Sequence, residues 1–341
     1  MSLTDVSIVI PTRNRPRELR RLLSFLNKFE EVARIFVLDG SHSESQALNR
    51  VIVGNYANAI HLAYDPGLHL GLRMADGLHQ VRTEFSALCG DDDFIFPSAL
   101  GQCVEFLKVN PDYSAASGWI KTMHYAGRGW RRRGFVLGDA LEHGRDISHA
   151  QFGRRMIEYF AYTFVGFIPL YYSLRRTAEL RSSFSLVRKT MKYSSVELLS
   201  VLLALLSGKI RVLPIVSGIR DYSSETIRDP ERDDPLTYFT ATDLDYVRGV
   251  LLDKMVRVHG FGENIAEYTI DLCLFGSEHR LNRIPDSSVK ARITAFWNDL
   301  QCLGSILRPD INADYLGVDR PTYRALTEVH RRFDAALPEI D

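Results

Sequence analysis

Ala87-Leu88-Cys89-Gly90-Asp91-Asp92-Asp93-Phe94-Ile95 joins a short apolar run to three adjacent carboxylates. Residues 83–89 predict a brief buried strand, the form parallel strands take when both faces of a sheet are covered. Open α/β sheets bind ligands in the crevice beyond the carboxyl ends of their strands. Three neighbouring anions repel one another and call for a compensating partner. A hard divalent cation is one answer, because Mg2+ and Mn2+ take carboxylate oxygens together with substrate phosphates. The other is a solvated aspartate turn after a strand. The chain before the triplet bears on that choice.

Residues 6–10 (VSIVI) are continuously apolar and mostly β-branched, which predicts a buried first strand. Pro11-Thr12-Arg13-Asn14-Arg15-Pro16 ends it, and Pro16 suits the first turn of a helix. Leu19, Leu22, Leu23 and Leu26 share one face of that helix, and Arg17, Arg20 and Arg21 read as its solvated face. The loop and helix start favour an anion. Residues 33–38 (ARIFVL) predict a second strand ending in Asp39-Gly40-Ser41. An aspartate there either accepts hydrogen bonds from a base or ribose hydroxyl, or simply makes a turn with glycine behind it. Residues 59–64 predict a third strand. Residues 68–81 predict a helix with Leu72, Ala75, Leu78 and Val81 along one side. Strand and helix therefore alternate, with polar residues collecting at strand ends, and this predicts a parallel, doubly wound sheet. The chain has no G-x-G-x-x-G after the first strand and no G-x-x-x-x-G-K-[ST], which disfavours a dinucleotide Rossmann site and a P-loop.

VSIVIPTRNRPRELRRLLSFL, then a strand ending in Asp39-Gly40-Ser41, then one ending in Asp91-Asp92-Asp93, resembles the family 2 type of nucleotide-sugar glycosyltransferases. The resemblance covers residues 5–225, and its two end motifs are specific together and weak apart. It implies a GT-A-like fold, an α/β Rossmann-type mostly parallel sheet flanked by helices. It implies that Pro11, Thr12, Arg13 and Arg15 line the donor site, and that Asp39, with Gly40 and Ser41, reads the base. It further implies that Asp91, Asp92 and Asp93 form a DXD motif. There the last aspartate holds the metal on the diphosphate, and Asp91 lies near the ribose and metal. Such enzymes often carry an arginine in the helix before the DXD strand; Arg73 is the nearest match, with spacing slightly off.

Residues 97–109 predict a helix and 113–120 a strand. The basic stretch within residues 125–135, with Trp130, is either a loop over the active site that handles phosphate or an anionic acceptor, or a solvated hairpin tip. Residues 154–160 predict a helix, 164–173 an apolar strand and 174–182 a helix. By resemblance this is the acceptor side, with Tyr171 and Tyr172 leading in, at least one of them a core residue. Residues 192–208 predict an apolar helix ended by Gly208, and 209–216 a further strand. The family carries an acidic pair at the start of this helix, its second member the general base. Ser194 and Ser195 stand there in this chain. Glu197 is the nearest carboxylate and the first candidate for the base, and Asp221 is the second. Glu197 also reads as an ordinary helix-start acid, favoured by the helix dipole alone. The serines equally allow substrate-assisted transfer, another stereochemical course or lost activity.

Residues 223–235 are polar and read as a linker or lid, and helical spacing prevails after them. Two domains are expected: a GT-A domain over 1–230 and an α-helical region over 231–341. Charge is balanced, 42 basic against 42 acidic residues, which argues against a general nucleic-acid surface. Cys89, Cys103, Cys273 and Cys302 are far apart, so neither a zinc site nor a disulfide framework is supported. A reducing, cytoplasmic compartment fits. No signal peptide is seen. The longest apolar run, 196–206, is too short for a transmembrane segment, which leaves peripheral contact with a membrane open. The expectation is a glycosyltransferase dependent on Mg2+ or Mn2+. It would move a sugar from a nucleoside-diphosphate sugar donor to a hydroxyl of a glycan, lipid or protein acceptor, with inversion implied by the resemblance alone. A nucleotidyltransferase of similar fold is the alternative within enzymes, although it would want a glycine-rich loop after the first strand. A binding protein without catalysis is the alternative outside them.

Overall fold

A computed structural model describes residues 3–29, 33–126, 134–140, 146–162, 168–221, 240–281 and 319–331. Among these residues nine strands form one sheet. Its first half comes from strand–helix units: β1 (Val6–Thr12), α1 (Pro16–Leu26), β2 (Arg34–Asp39), α2 (Ser43–Gly54), β3 (Ala59–Ala63), α3 (Leu70–Gln80) and β4 (Phe85–Leu88). Strand β1 pairs in parallel with both β2 and β4, and β2 pairs in parallel with β3. The second half holds β5 (Phe94–Ile95), α4 (Pro97–Val109), β6 (Tyr113–Ala126), β7 (Gly134–Ala140), α5 (Phe152–Tyr162), α6 (Ile168–Tyr171), β8 (Leu174–Arg176), α7 (Thr177–Phe184), α8 (Tyr193–Ser207) and β9 (Lys209–Asp221). The spatial order is β3-β2-β1-β4-β8-β6-β9-β5, with β7 beside β6. Strand β8 is antiparallel to both neighbours and β5 to β9, while β6 and β9 are parallel.

Strand alternation divides the apolar residues between two cores. Ile8, Ile10 and Ala87 face one core, with α1 and α4. Val9 and Leu88 face the other, with α3, α7 and α8. This two-sided burial is why VSIVI carries no polar period. Helix α8 is apolar all round because it lies inside the second core, with every residue from Val196 to Leu206 but Glu197 buried. Arg155 from α5 satisfies its carboxyl end, donating Nε to the Leu205 carbonyl at 2.8 Å and Nη2 to that of Leu206 at 3.2 Å.

The C-terminal helices join both cores. Helix α9 (Ala241–Asp253), a π-helical turn (Lys254–Val258) and α10 (Glu263–Leu281) add Val247, Leu251, Met255, Ala266 and Ile270 to the α8 side. Helix α11 (Arg320–Arg331) adds Tyr323 and Leu326 to the α1 side, where Lys28 pairs with Glu328. No helix among the described residues is long and apolar enough to cross a membrane.

Several elements differ from expectation. Residues 43–54 form a helix that has only Asn49, Ile52 and Val53 buried, too thin a stripe to stand out in sequence. Strands β6 and β9 extend to Ala126 and Asp221, beyond the expected 120 and 216. Of the strand expected over 164–173, the described part is helical (α6), and the strand falls at Leu174–Arg176 instead. A short apolar run cannot by itself separate a buried helix from a buried strand. The basic stretch 127–133, the polar stretch 222–239 and residues 282–318 of the helical C-terminal region lie outside the described residues.

Candidate active site

The parallel register brings three strand ends together. Thr12 lies opposite Asp39, and the Cys89 N–H donates to the Val9 carbonyl at 3.1 Å. The tips of β1, β2 and β4 are therefore neighbours at the carboxyl edge of the sheet. Thr12 Oγ1 donates to Asp91 Oδ2 at 2.7 Å. Arg15 Nη1 donates to Asp91 Oδ1 at 2.8 Å and Asp92 Oδ2 at 2.9 Å. The Pro11-to-Pro16 loop thus holds the first two acids of the triplet, while Pro11 itself stays in the β1 ladder opposite Leu38.

Asn14 bends this loop with a left-handed backbone, φ 55°, a conformation asparagine tolerates better than most side chains. Its N–H donates to Ser41 Oγ at 2.8 Å, and its Oδ1 accepts from the His42 N–H at 2.9 Å. Gly40 faces Arg73, and a Cβ there would lie 2.1 Å from Nη1, so only glycine lets the guanidinium lie across the β2 tip. Arg73 Nη1 donates to the carbonyls of Thr12 at 3.0 Å and Leu38 at 3.3 Å, fastening β1 to β2. Burial, and then the neighbouring charge of Arg13, hold the Arg73 pKa below its ordinary value.

Asp39 is fully buried. Oδ1 accepts from the Ser41 N–H at 2.9 Å; Oδ2 accepts from Asn49 Nδ2 at 3.0 Å and lies 2.8 Å from His61 Nε2. Burial alone would raise its pKa, but these bonds outweigh burial and hold it below the ordinary value. In this arrangement the carboxylate is enclosed by Ser41, Asn49 and His61. It shapes the Gly40-Ser41 tip from beneath.

Asp93 is 7 % exposed. Its Oδ1 accepts from the Asp221 N–H at 3.0 Å, and the Tyr172 hydroxyl donates to its carboxylate. Burial first, then the charge of Asp92, push it up to about 7. Burial likewise raises Asp91, against the opposing charge of Arg15. A small cavity opens beside Asp93, lined in part by Ile95, Ile120, Tyr172, Ser217 and Arg220. Arg21 closes the back of the triplet: Nη1 donates to Asp221 Oδ2 and Nη2 to the Asp92 carbonyl, both at 2.6 Å. One expectation changes here: Arg21 is buried rather than solvated. Asp221 holds its carboxylate in that ion pair and its N–H on Asp93, and so anchors the triplet.

On α8, Ser195 is fully buried, its hydroxyl donating to Asp243 of α9 at 2.9 Å. Glu197 is partly exposed and is an electrostatic neighbour of Tyr171, Tyr172 and Tyr193. Tyr171 is a core residue, with its ring 5.5 Å from that of Tyr172, and Tyr172 reaches Asp93. Neither Asn49 nor His61 belongs to a motif of the sequence. His61 alone left a visible trace, a polar residue inside the short strand AIHLA.

Residues 7–175 match the sequence model of glycosyl transferase family 2. Over that stretch the chain belongs to glycosyl transferase family 2. Its fold is shared with S. aureus TarS 1–349 in complex with UDP-GlcNAc, at a TM-score of 0.59 and 15% identity, over 98% of this chain and 91% of that one. TarS 1–349 in complex with UDP gives 0.56 at the same identity and coverage. Against the longer S. aureus TarS chain the score is 0.53, covering 53% of that chain. At this identity the likeness concerns the fold alone. No curated protein matches the chain by sequence.

GT-A glycosyltransferases imply a divalent cation, so the fit of this glycosyltransferase's triplet matters. No three His, Cys, Asp or Glu side chains converge as a ready-made cage among the described residues. Mg2+ and Mn2+ at phosphate sites use one or two carboxylates and take the rest from substrate and water. Asp93, buried and raised towards neutrality, with Asp92 beside it, suits such a cation. Asp91 and Asp92 both accept from Arg15, and Asp91 also accepts from Thr12, so the acids ahead of Asp93 are tied to the β1 loop.

Proposed function

We propose that this glycosyltransferase moves a sugar from a nucleoside-diphosphate sugar to a hydroxyl of a glycan, lipid or protein, with inversion and with Mg2+ or Mn2+. The observation that carries the proposal is the buried Asp93 against the end of β9, beside acids already tied to Arg15. The TarS complexes with UDP-GlcNAc and UDP support a nucleoside-diphosphate donor. Asp93, with Asp91, would hold the cation. When bound, it neutralises charge developing on the diphosphate leaving group. Arg13 and Arg73 give the donor diphosphate a positive wall, and Gly40 and Ser41 form the floor under the nucleoside. Glu197 takes the proton of the acceptor hydroxyl as its oxygen bonds to the anomeric carbon and the bond to diphosphate breaks.

A cytoplasmic location belongs to the proposal, supported by the buried free thiols of Cys89 and Cys103. The test is nucleotide release from a panel of UDP-, GDP- and dTDP-sugars, with Mn2+ or with EDTA. Release from one donor that stops in EDTA supports the proposal. Metal-dependent binding without release, under any acceptor tried, would favour the binding-protein reading that Ser194 and Ser195 suggest.

A further inference from the structure

The start of α8, where the sequence has Ser194 and Ser195, receives a carboxylate from elsewhere in the chain. Asp243, on the first turn of α9, is 4 % exposed. Its Oδ2 accepts from the Lys192 N–H at 3.0 Å and from Ser195 Oγ at 2.9 Å. Both donors belong to the entry of α8, so Asp243 caps that helix from outside, and an anion at a helix N-terminus is also favoured by the dipole. Asp243 is fixed in turn, because its own N–H donates to Thr240 Oγ1 at 3.1 Å. One helical turn along α9, the Tyr246 hydroxyl donates to the Leu186 carbonyl at 2.6 Å, and the Arg188 guanidinium lies 3.5 Å from the centre of the Tyr246 ring. Helix α9 therefore holds both the segment leading into α8 and its first turn.

Glu197 stands two residues after Ser195 and is electrostatically coupled to Tyr172, the tyrosine that donates to Asp93. A shift of the first turn of α8 would move Glu197 relative to Asp93. We propose that Asp243 is a positioning residue for glycosyl transfer, which fixes the first turn of α8 from the C-terminal helices and so sets the place of Glu197. This rests on the reading of Glu197 as the base. It gives α9 a part in the reaction beyond packing.

The full chain is assayed for nucleotide release from the UDP-, GDP- and dTDP-sugar panel with Mn2+, as wild type and as Asp243→Asn, Ser195→Ala and Glu197→Gln. Asp243→Asn is expected to lower kcat roughly tenfold or more and leave donor KM within about twofold, since the tips of β1, β2 and β4 are untouched. Ser195→Ala, which removes one bond of the two, lowers kcat in the same sense by less. Unchanged kcat in both variants, or donor KM rising in step with the fall in kcat, overturns the proposal. If Asp243→Asn does not fold, Ser195→Ala decides by the same split. An inactive Glu197→Gln beside normal Asp243→Asn and Ser195→Ala overturns the positioning role alone. A fully active Glu197→Gln, or a wild type that releases nucleotide from no member of the panel, overturns the underlying reading as well.

Discussion

Arg21 and Asp221, 200 positions apart in sequence, form a 2.6 Å ion pair whose side chains are 2% and 0% exposed. The pair ties α1 to the end of β9. Through the Asp92 carbonyl and the Asp221 N–H it also holds the acidic triplet from behind. Removing one partner of a buried pair leaves the other charged in an apolar setting, at a cost of about 3–5 kcal/mol. Arg21→Met and Asp221→Asn should each lower the urea midpoint by an amount of that order. The double variant should lose less than the sum of the two. Additive losses would show that the two residues do not act as a unit.

Gly40→Ala should act through Arg73. The added Cβ would meet the guanidinium at 2.1 Å, so Arg73 must give up its bonds to the Thr12 and Leu38 carbonyls. Overpacking of this kind costs about 1–3 kcal/mol, and the displaced guanidinium should weaken UDP binding as well. Calorimetric titration with UDP and Mn2+ measures that loss. Binding at wild-type strength would mean Arg73 lies away from the donor.

Asp39 gives the protein an acid-labile element. Its pKa is held below 3.8, so the folded state binds fewer protons there than the unfolded chain. The stabilisation is complete above the ordinary carboxylate value and is lost as pH falls through the folded value. His61→Ala should lower stability near neutral pH, and it should also weaken the acid dependence, because it removes one of the bonds that depress Asp39. Stability curves from pH 2 to 7 that differ only by a constant offset would contradict this.

Asp93 has the opposite sign. Its folded-state pKa is raised from 3.8 to about 7, so the native state holds a proton that the unfolded chain has released. Its contribution to stability is present below about pH 4 and declines as pH rises towards 7. A cation bound at Asp93 must displace that proton, so stabilisation by Mn2+ with UDP should be larger at pH 7.5 than at pH 5.5. Equal stabilisation at the two values would remove Asp93 from the cation site.

Legibility in the sequence followed the range of the signals. Residues 6–10, the Pro11-to-Pro16 loop and the Asp triplet were readable because strand, turn and motif are written in consecutive residues. Arg21 was not: helical spacing sets it off the leucine face, and nothing nearby reveals Asp221. The hold of Asp243 on α8 was hidden in the same way, because it comes from a helix 48 positions further along the chain. Asp39 was found as a residue, but its role depends on Asn49 and His61, which reach it only once β2, α2 and β3 are assembled.

The most direct test of the central claim is thermal stability with UDP, GDP and dTDP, each with and without Mn2+, for wild type and Asp93→Asn. A ligand at a hundred times its Kd stabilises the native state by about 2.7 kcal/mol. The account predicts that one nucleotide raises the wild-type melting temperature only with Mn2+, and that Asp93→Asn folds and loses that increment. An equal Mn2+-dependent rise in Asp93→Asn, or no rise with any of the three, would contradict it.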